Sequence, residues 1–435
     1  MSRTALVALG GVLLSLNVHA ASFDCAKSAT KVEKIICGDS ELSKLDEELA
    51  IVYKASLQDV KHAEVIKQSQ KEWIRQNKSC PDAACLKRVY GIRLSWLKVP
   101  ITTTIAGKLI TAREQHTATL LKNGKVLVVG GWNVDTDELY DAATGRFTAT
   151  GNLASAPRWD HSATLLPNGK VLIAGGVSSD SLHVITLFDA ELYDPVSGTF
   201  SSTGSFTIGK VTGFSSTLLA NGRVLFAGMS GGGDGTSELY DPTSGTFSAT
   251  GSLVTMRRGH TATLLPDGRV LLTGGTDNNT NYLASAELYD PTTGTFNATG
   301  SLSDARVDHT ATLLPNGKVL VVGGHFVDRL LASAELYDPA TGRFTHAGQL
   351  VTGRYGHIAT ILKNGKVLIA GGVGADGYLA SIELYNPATG TFKSAGRLIA
   401  GCNHRTATLL ENGKVLIVGG DNTAEIYDPV AAELY

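Results

Sequence analysis

The chain has 435 residues, of which 43% are apolar and 18% charged, and its formal net charge is −2. Lys and Arg form no basic stripe, so the composition argues against nucleic acid as a partner. Residues 21–100 hold 14 Lys and Arg against 11 Asp and Glu, whereas residues 101–435 hold 23 against 29. The uneven charge indicates two parts of different character.

The first twenty residues are typical of a secretory signal peptide. Arg3 gives a positive start, residues 5–16 form a short apolar core, and Val18-His19-Ala20 fits a small-x-small cleavage site. An uncleaved anchor is the alternative, although the apolar run is short for a membrane span. We expect a periplasmic or secreted protein with no membrane span after signal removal.

Four of the five cysteines fall in the next segment, at Cys25, Cys37, Cys80 and Cys85. An even set in an exported chain predicts two disulfides. Three connectivities stay open, with one condition: a continuous helix over residues 26–36 would hold Cys25 and Cys37 too far apart to bond. Cys402 is left over and predicts a free thiol.

Residues 22–98 have a helical pattern. The apolar residues that follow Asp39 and Ser40 recur at helical spacing, namely Leu42, Leu45, Leu49, Val52 and Tyr53. Two further helices are predicted around Trp73 and Val89. A unit of this size has a small core, which explains a need for disulfides.

This segment resembles the LprI-type lysozyme-inhibitor family. The resemblance rests chiefly on the cysteine and Trp spacing, with matches at Phe23-Asp24-Cys25, Glu33, Ile36-Cys37, Leu42, Leu45-Asp46, Tyr53, Gln70, Trp73, Cys80, Cys85-Leu86, Tyr90 and Arg93. It implies an exported helical module associated with lysozyme inhibition, and therefore lysozyme as a partner.

Residues 101–435 repeat one pattern seven times. Its first strand begins at Thr117, Ser162, Ser215, Thr261, Thr310, Ile358 and Thr406. A period of this length is typical of propellers, solenoids and arrays. An Asn-Gly or Asp-Gly pair follows each first strand and predicts a hairpin turn. The second strand is apolar at consecutive positions, which is expected if neighbouring units cover both faces.

The repeats resemble the kelch β-propeller family, which implies four strands, A to D, in each blade. We therefore predict an all-β seven-bladed kelch-type β-propeller preceded by a small disulfide-stapled α-helical domain. The seventh copy stops at Tyr427-Asp428-Pro429 without a strand D. Residues 101–107 match the missing strand, so the N-terminal strand should close the ring and remove an exposed edge.

Strand polarity places the B–C loops and the D–A crossings at one end of the propeller. The B–C loops differ in every copy, and variation on one rim is where binding specificity normally lies. Ordinary solvated loop residues are the alternative for any single position. The candidate binding residues are Trp132, Asp135, Asp180, His183, Asn278, Tyr282, His325, Phe326, Arg329, Asp376 and Tyr378.

Repeated polar residues favour a structural role. Arg and His stand three apart in five copies, as in Arg158 and His161, and the other two copies lose both. This predicts a coupled pair that ties neighbouring blades. A Glu stands at one position in all seven copies, which favours buried pairing over acid–base chemistry. Equivalent His residues spread round a ring cannot converge on one metal ion, so no metal site is predicted.

The third copy departs from the pattern. It has Phe214 for His, Gly228-Met229 for Gly-Gly, and a glycine-rich loop at residues 231–235. Such a break marks either a site or sequence drift. The loop has no Lys and is not placed as a phosphate loop, so nucleotide binding is not predicted.

The sequence thus predicts an exported, non-enzymatic binding protein. Its propeller rim would bind a protein or glycan, and its helical domain would act as a lysozyme inhibitor or adaptor. No nucleophile–base pair, metal-ligand spacing or cofactor loop is present, so we predict no cofactor and no catalytic residue. The alternative is a carbohydrate-active kelch enzyme such as a sialic acid mutarotase. Copper-radical sugar oxidases need a Cys-linked Tyr with His ligands in non-repeating positions; residues 101–435 have Cys402 as their one Cys and mostly repeating strand C Tyr residues, so this chemistry is not expected. Oligomeric state and ligand identity are not indicated.

Overall fold

The computed structural model describes residues 22–179, 183–207, 213–228, 235–277, 281–401, 403–420 and 422–432. The chain forms two compact units, which divide between Ile101 and Thr102. The predicted signal peptide, Asp180, Asn278 and Cys402 lie outside the described residues, as do Met229 and most of the third-copy glycine loop. None of the described helices has both the length and the hydropathy that a membrane-spanning segment requires.

The described part of the first unit contains four helices, three of which begin at a side-chain cap. Thr30 and Glu33 form a reciprocal capping box, in which each side chain accepts the other residue's backbone N–H. Asp39 and Asp82 cap two later helices, and in each case the Asp side chain accepts a hydrogen bond from a backbone N–H of the first turn. A short 3-10 turn at Cys25–Lys27 precedes α1 (Lys31–Gly38), α2 (Ser40–Ser56), α3 (Ala63–Asn77) and α4 (Ala83–Lys98).

Both disulfides lie in this unit, and their pairing is local. Cys25 bonds to Cys37, with 5.7 Å between their Cα atoms, and Cys80 bonds to Cys85. The condition under which Cys25 and Cys37 would be held apart is not met, because residues 26–36 are not one helix. The 3-10 turn ends at Lys27, and α1 begins only at Lys31. The break lets the chain fold back on itself.

The second unit is a propeller of seven four-stranded antiparallel sheets. The A strands are Thr117–Leu120, Ser162–Leu165, Ser215–Leu218, Thr261–Leu264, Thr310–Leu313, Ile358–Ile361 and Thr406–Leu409. The B strands are Val126–Val129, Val171–Ala174, Val224–Ala227, Val270–Thr273, Val319–Val322, Val367–Ala370 and Val415–Val418. Every B-strand residue is buried, as expected for strands covered on both faces.

The outer half of each blade consists of strands C and D. The C strands are Glu138–Asp141, Asp189–Asp194, Glu238–Asp241, Ala286–Asp290, Ser333–Asp338, Ser381–Asn386 and Thr423–Tyr427. The D strands of blades 1 to 6 are Arg146–Ala149, Thr199–Ser205, Thr246–Ala249, Thr295–Ala298, Arg343–Gln349 and Thr391–Arg397. A four-residue helix, α5 (Pro429–Ala432), follows the last strand.

The N-terminal strand of the propeller supplies strand D of blade 7. Thr103–Lys108 pairs antiparallel with the last C strand, with Thr103 opposite Tyr427 and Lys108 opposite Thr423. The chain thereby closes the ring with hydrogen bonds between its two ends, and no blade is left with three strands. Apolar clusters then join adjacent blades, as where Val126 and Val128 of blade 1 pack with Leu416 and Val418 of blade 7.

Four B–C loops fold into small hairpins that the sequence pattern did not predict. Each first hairpin strand forms a bridge to the D–A crossing of its own blade, through Trp159–Val177, Arg258–Thr276, Val307–His325 and Tyr355–Val373. This bridge fixes each hairpin to the scaffold. The hairpins are Val177–Ser179 with Val184–Thr186, Thr276–Asp277 with Asn281–Tyr282, His325–Phe326 with Arg329–Leu330, and Val373–Gly374 with Gly377–Tyr378.

The repeated His residues connect neighbouring blades. In five blades the His Nε2 atom lies 2.8–3.0 Å from a Thr or Ser hydroxyl that begins strand A of the preceding blade, as His161 does with Thr117. Gly130 must lack a side chain there, since a Cβ atom would lie 2.8 Å from Cε1 of His161. The His half of the predicted pair therefore does tie blades together.

The repeated Glu residues connect each blade to the crossing that enters it. All seven accept a backbone N–H from that crossing, as Glu138 does from Ile110 at 2.8 Å. Five also form an ion pair with the repeated Arg, which is buried and stays within its own blade. In blade 7, Arg405 replaces that Arg and lies 2.6 Å from Glu425.

The unusual third blade has an aromatic core where other blades have polar pairs. Phe214 stands at the His position and packs against Phe206 and Phe226, with ring centroids 5.8 Å apart in both cases. Val211 stands at the position of the repeated Arg, and Glu238 accepts from the backbone N–H and hydroxyl of Thr207. In the described residues, the departure from the repeat is therefore a change of core chemistry.

Candidate binding face of the propeller

The end of the propeller that carries the B–C loops and D–A crossings exposes its aromatic side chains. Among the described residues, four large aromatic side chains are exposed, and all four lie in B–C loops. They are Trp132, Phe188, Phe326 and Tyr378, with exposed fractions of 59%, 38%, 38% and 65%. Exposed aromatic residues gathered on one face mark an interaction site more often than scattered ones do. We call this end the B–C face.

Five side chains from three blades form a continuous cluster on the B–C face, the hairpin patch: Tyr282, His325, Phe326, Arg329 and Tyr355. The ring centroid of Tyr282 lies 5.6 Å from His325 and 5.4 Å from Phe326. His325 in turn lies 4.7 Å from Tyr355. These separations are those of packed aromatic pairs, so the hairpin patch is a preformed surface.

Two carboxylates adjoin the hairpin patch. Asp304 accepts a hydrogen bond from Nη2 of Arg329 at 2.6 Å, and this Arg also lies over the ring of Phe326 at 5.9 Å. The neighbouring arginine holds the pKa of Asp304 below its ordinary value. Asp308 lies 3.7 Å from Nδ1 of His325, and its side chain is 47% exposed. The patch therefore offers aromatic faces beside negative charge.

A second set of residues surrounds the propeller axis on the same face. The residue that precedes the His position has a positive φ in all seven blades, between 50° and 69°. Three of these residues are glycines, whereas the other four are not, although such a conformation is unfavourable for them. This axial ring consists of Gln115, Asp160, Gly213, Gly259, Asp308, Gly356 and His404.

The polar members of the axial ring influence one another across the axis. Partial burial raises the pKa of Asp160 in blade 2, while the charge of His404 in blade 7 opposes that rise. Backbone hydrogen bonds also join the ring, from Gly259 N–H to the carbonyl of Gly213 and from Gly356 N–H to that of Asp308. The ring therefore places Gln, Asp and His side chains round one small opening.

The structure brings together only part of the predicted site. Tyr282, His325, Phe326 and Arg329 meet in the hairpin patch. Trp132, Asp135, His183, Asp376 and Tyr378 are exposed on other loops of the same face, and Asp180 and Asn278 lie outside the described residues. Sequence reasoning missed Phe188, Tyr355 and the axial ring. The sequence did contain a signal for the axial ring, because Gly alternates with Asp, Gln and His at one repeat position, which is typical of a positive φ.

The helical unit contains a separate cleft of about 630 Å³. Its walls are mostly apolar and aromatic and come from all parts of the unit, with Phe23, Leu49, Tyr53, Trp73 and Ile74 among them. Asp46 lies at its base and accepts a hydrogen bond from the Tyr90 hydroxyl at 2.7 Å. A cleft of this size and lining suits the insertion of an apolar side chain from a partner.

The described part of the chain contains no set of metal ligands. No group of three or more His, Cys, Asp and Glu residues is arranged to hold a metal ion there. The repeated His residues are buried in separate blades, and burial lowers the pKa of His161 to about 3. These residues do not fit a copper centre of the kind that sugar oxidases use.

The repeat matches a known family. Residues 257–303 and 308–350 match the family model for the Kelch motif. The second unit is a kelch-repeat β-propeller. The two matched segments belong to blades 4 and 5, the blades that supply most of the hairpin patch.

The N-terminal region is similar to a curated protein. It is 28% identical to Lipoprotein LprI of Mycobacterium tuberculosis over 96 residues, which is 21% of this chain and 48% of that protein. Lipoprotein LprI of Mycobacterium bovis matches to the same extent. The chain therefore covers about half the length of these curated relatives, and the kelch propeller lies beyond what they share.

Two solved structures share the propeller fold. A fungal alcohol oxidase of the AA5 family, in complex with copper, superposes with a TM-score of 0.62 at 18% identity, over 74% of this chain and 75% of that one. The structure of YjhT superposes with a TM-score of 0.54 at 14% identity, over 66% of this chain and 98% of that one. At such low identity these likenesses concern the kelch fold alone.

Proposed function

We propose that this chain is an exported, non-enzymatic binding protein whose kelch propeller binds a protein or glycan on the B–C face. The observation that carries this proposal is the position of the four exposed aromatic side chains, all of which lie in B–C loops. Aromatic residues dominate the energetics of binding surfaces because they bury large areas at low entropic cost. Two disulfides in the helical unit are compatible with a location outside the cytoplasm.

Capture of partners by the purified full chain tests this proposal. The double substitution Phe326→Ser and Tyr378→Ser should abolish retention of exported proteins or of glycans on an array, since both side chains are exposed on the B–C face. Val196→Ser is the matched control, because Val196 is 96% exposed in a C–D turn at the opposite end. Equal retention by both variants would contradict the proposal.

The helical unit is proposed to act as a lysozyme inhibitor or adaptor. Similarity to LprI supports this role, and the apolar cleft supplies a surface for it. Ile74 is 50% exposed and lines the cleft, whereas Ile51 is 69% exposed on α2 and lies outside it. If the cleft acts, Ile74→Ser in the full chain should relieve inhibition in a lysozyme activity assay, and Ile51→Ser should not. The absence of inhibition by the unaltered chain would remove this role.

The axial ring favours one alternative function, that of a carbohydrate-active kelch enzyme such as a sialic acid mutarotase. Asp160, Asp308 and His404 are polar groups at one opening, and two of them interact electrostatically. Such groups can exchange protons with a sugar hydroxyl. An NMR anomerisation assay on sialic acid, with Asp160→Asn as the comparison, decides this alternative: no acceleration by the unaltered chain rules it out.

A further inference from the structure

The charges of the B–C face are strongly one-sided. Besides the seven repeated Glu residues, its described B–C loops and D–A crossings contain nine Asp and Glu residues. The Lys and Arg residues of these segments are buried except for Arg258 and Arg329. Four of the acids are exposed to solvent, namely Asp135, Asp308, Asp328 and Asp376.

The opposite end of the propeller has the reverse balance. Its A–B and C–D turns contain nine Lys and Arg against three Asp and Glu, and the strand residues that flank these turns add two Arg and five Asp. Most of the acids there already have a partner, as Asp194 has in Lys170 at 3.2 Å and Asp338 in Lys318 at 3.0 Å. The two ends therefore differ in sign, and the negative potential is concentrated where the aromatic side chains are exposed.

Three of the exposed acids lie in the blades that form the hairpin patch. Asp308 adjoins His325, and Asp328 lies in the same hairpin as Phe326. Asp376 lies in the hairpin of the next blade, next to the exposed Tyr378. A Lys or Arg side chain that enters here meets both a carboxylate and the face of an aromatic ring, two favourable partners for a cation.

We propose that the B–C face docks a cationic protein, whose Lys and Arg side chains meet these carboxylates and stack on the hairpin patch. This inference rests on the proposed binding function and names the chemistry of the partner. The helical unit has more Lys and Arg than Asp and Glu, so charge attraction would steer a cationic protein to the propeller, whereas the apolar cleft of the helical unit would contact its partner without that attraction. An anionic glycan would be repelled from the same face.

Lysozyme, a cationic protein, and its lysine-acetylated form are the probes. The full chain should bind native lysozyme, with an affinity that falls as the salt concentration rises. Acetylated lysozyme should bind at least tenfold more weakly, because acetylation removes the positive charge of each Lys. Absence of binding by native lysozyme, or equal binding of both forms, overturns the proposal.

A triple variant localises the interaction. Asp308→Asn, Asp328→Asn and Asp376→Asn together should weaken binding about tenfold, since each exposed ion pair contributes modestly. Asn keeps the side-chain size and tolerates the positive φ of Asp308. The control is Asp194→Asn, Asp241→Asn and Asp338→Asn at the opposite end, where Asn386 already stands at the equivalent position of blade 6. Equal weakening by both variants means a general charge effect and overturns the proposal.

The outcomes separate this inference from the proposed function. If Phe326→Ser with Tyr378→Ser abolishes partner capture while the acid-neutralising variant leaves it unchanged, the B–C face binds its partner by other chemistry. The inference then fails and the proposed function stands. If neither variant affects capture, both fail.

Discussion

His161 of blade 2 hydrogen-bonds through Nε2 to the hydroxyl of Thr117 in blade 1, at 2.9 Å. Thr117 begins the innermost strand, so the bond joins two blades next to the propeller axis. Blades 7 and 3 lack the repeated His and therefore cannot form this bond. Blade 7 has Arg405 at the His position, and the preceding blade has Ile358 at the Thr position. Blade 3 has Phe214, and the hydroxyl of Ser162 in blade 2 is buried without a hydrogen-bond partner.

This relationship predicts opposite effects of two similar substitutions. Thr117→Val should destabilise the propeller by about 1–3 kcal/mol, because it leaves the buried His161 without its partner. Ser162→Ala should be neutral or stabilising by up to ~1 kcal/mol, because its hydroxyl makes no hydrogen bond to lose. Urea unfolding of both variants measures the difference. Equal destabilisation would show that the hydroxyls act by packing alone.

The buried His residues predict loss of stability on acidification. Burial lowers the pKa of His116, His161, His260 and His357 to about 3, and that of His309 well below its ordinary value. The unfolded chain, with a His pKa near 6.5, therefore binds more protons than the folded chain. Their contribution is fully present above pH 6.5 and is lost as the pH falls towards 3.

Below pH 6.5, each of these His residues should lower the free energy of unfolding by about 1.4 kcal/mol per pH unit. Urea unfolding at pH 7, 6 and 5 measures the slope. Two carboxyls act in the opposite direction, since burial raises the pKa of Asp137 to about 6 and also raises that of Asp160, which favours the folded state at low pH. His161→Gln should reduce the slope, and an unchanged slope in that variant would assign the acid sensitivity to other groups.

The repeated Glu residues should differ in importance according to their partners. Glu287 lies 2.6 Å from Arg257, whose side chain is fully buried. Glu287→Gln leaves that guanidinium without its counter-charge and should cost about 3–5 kcal/mol. In blade 3, Val211 stands at the position of the repeated Arg and Glu238 accepts only from Thr207 among the described contacts, so Glu238→Gln should cost about 1 kcal/mol. Thermal unfolding compares the two, and similar losses would refute the role assigned to the ion pair.

The axial ring predicts that a glycine can replace an aspartate without loss of stability. Asp308 has a φ of 53°, and Gly occupies the equivalent position in three blades. Asp308→Gly should therefore leave the free energy of unfolding unchanged or raise it by up to ~1 kcal/mol. Asp308→Val should lower it by at least ~1 kcal/mol, since a β-branched residue adopts this conformation poorly. A destabilising glycine would mean that the Asp308 carboxylate contributes to the fold.

Much of the fold was predictable because its signals are local. Strand alternation, the Asn-Gly turns and the missing last strand D all lie within one or two repeats, and together they predicted seven blades and the closing strand. The hairpins within the B–C loops were not predicted, because each consists of two or three residues per strand and depends on a bridge to a D–A crossing. The disulfide pairing was left open for a related reason. It depended on a helix break between Lys27 and Lys31 that apolar periodicity does not reveal.

The sequence predicted which face of the propeller contains the candidate site, but not which side chains form it. The variable B–C loops pointed to the correct end of the propeller, and four of the chosen residues do meet there. Tyr355 was missed because it lies in a D–A crossing, close in space to His325 but thirty residues away in sequence.

The sequence by itself determined the repeat, the number of blades and the scaffold role of the buried polar residues, because a pattern repeated seven times encodes its own local structure. Tertiary structure alone decided which side chains stand together. Tyr282, His325 and Tyr355 become neighbours, and His404 comes to act on Asp160, only when separate blades pack round the ring and meet on one face. Closure depends on packing between blades, and no single repeat contains that information.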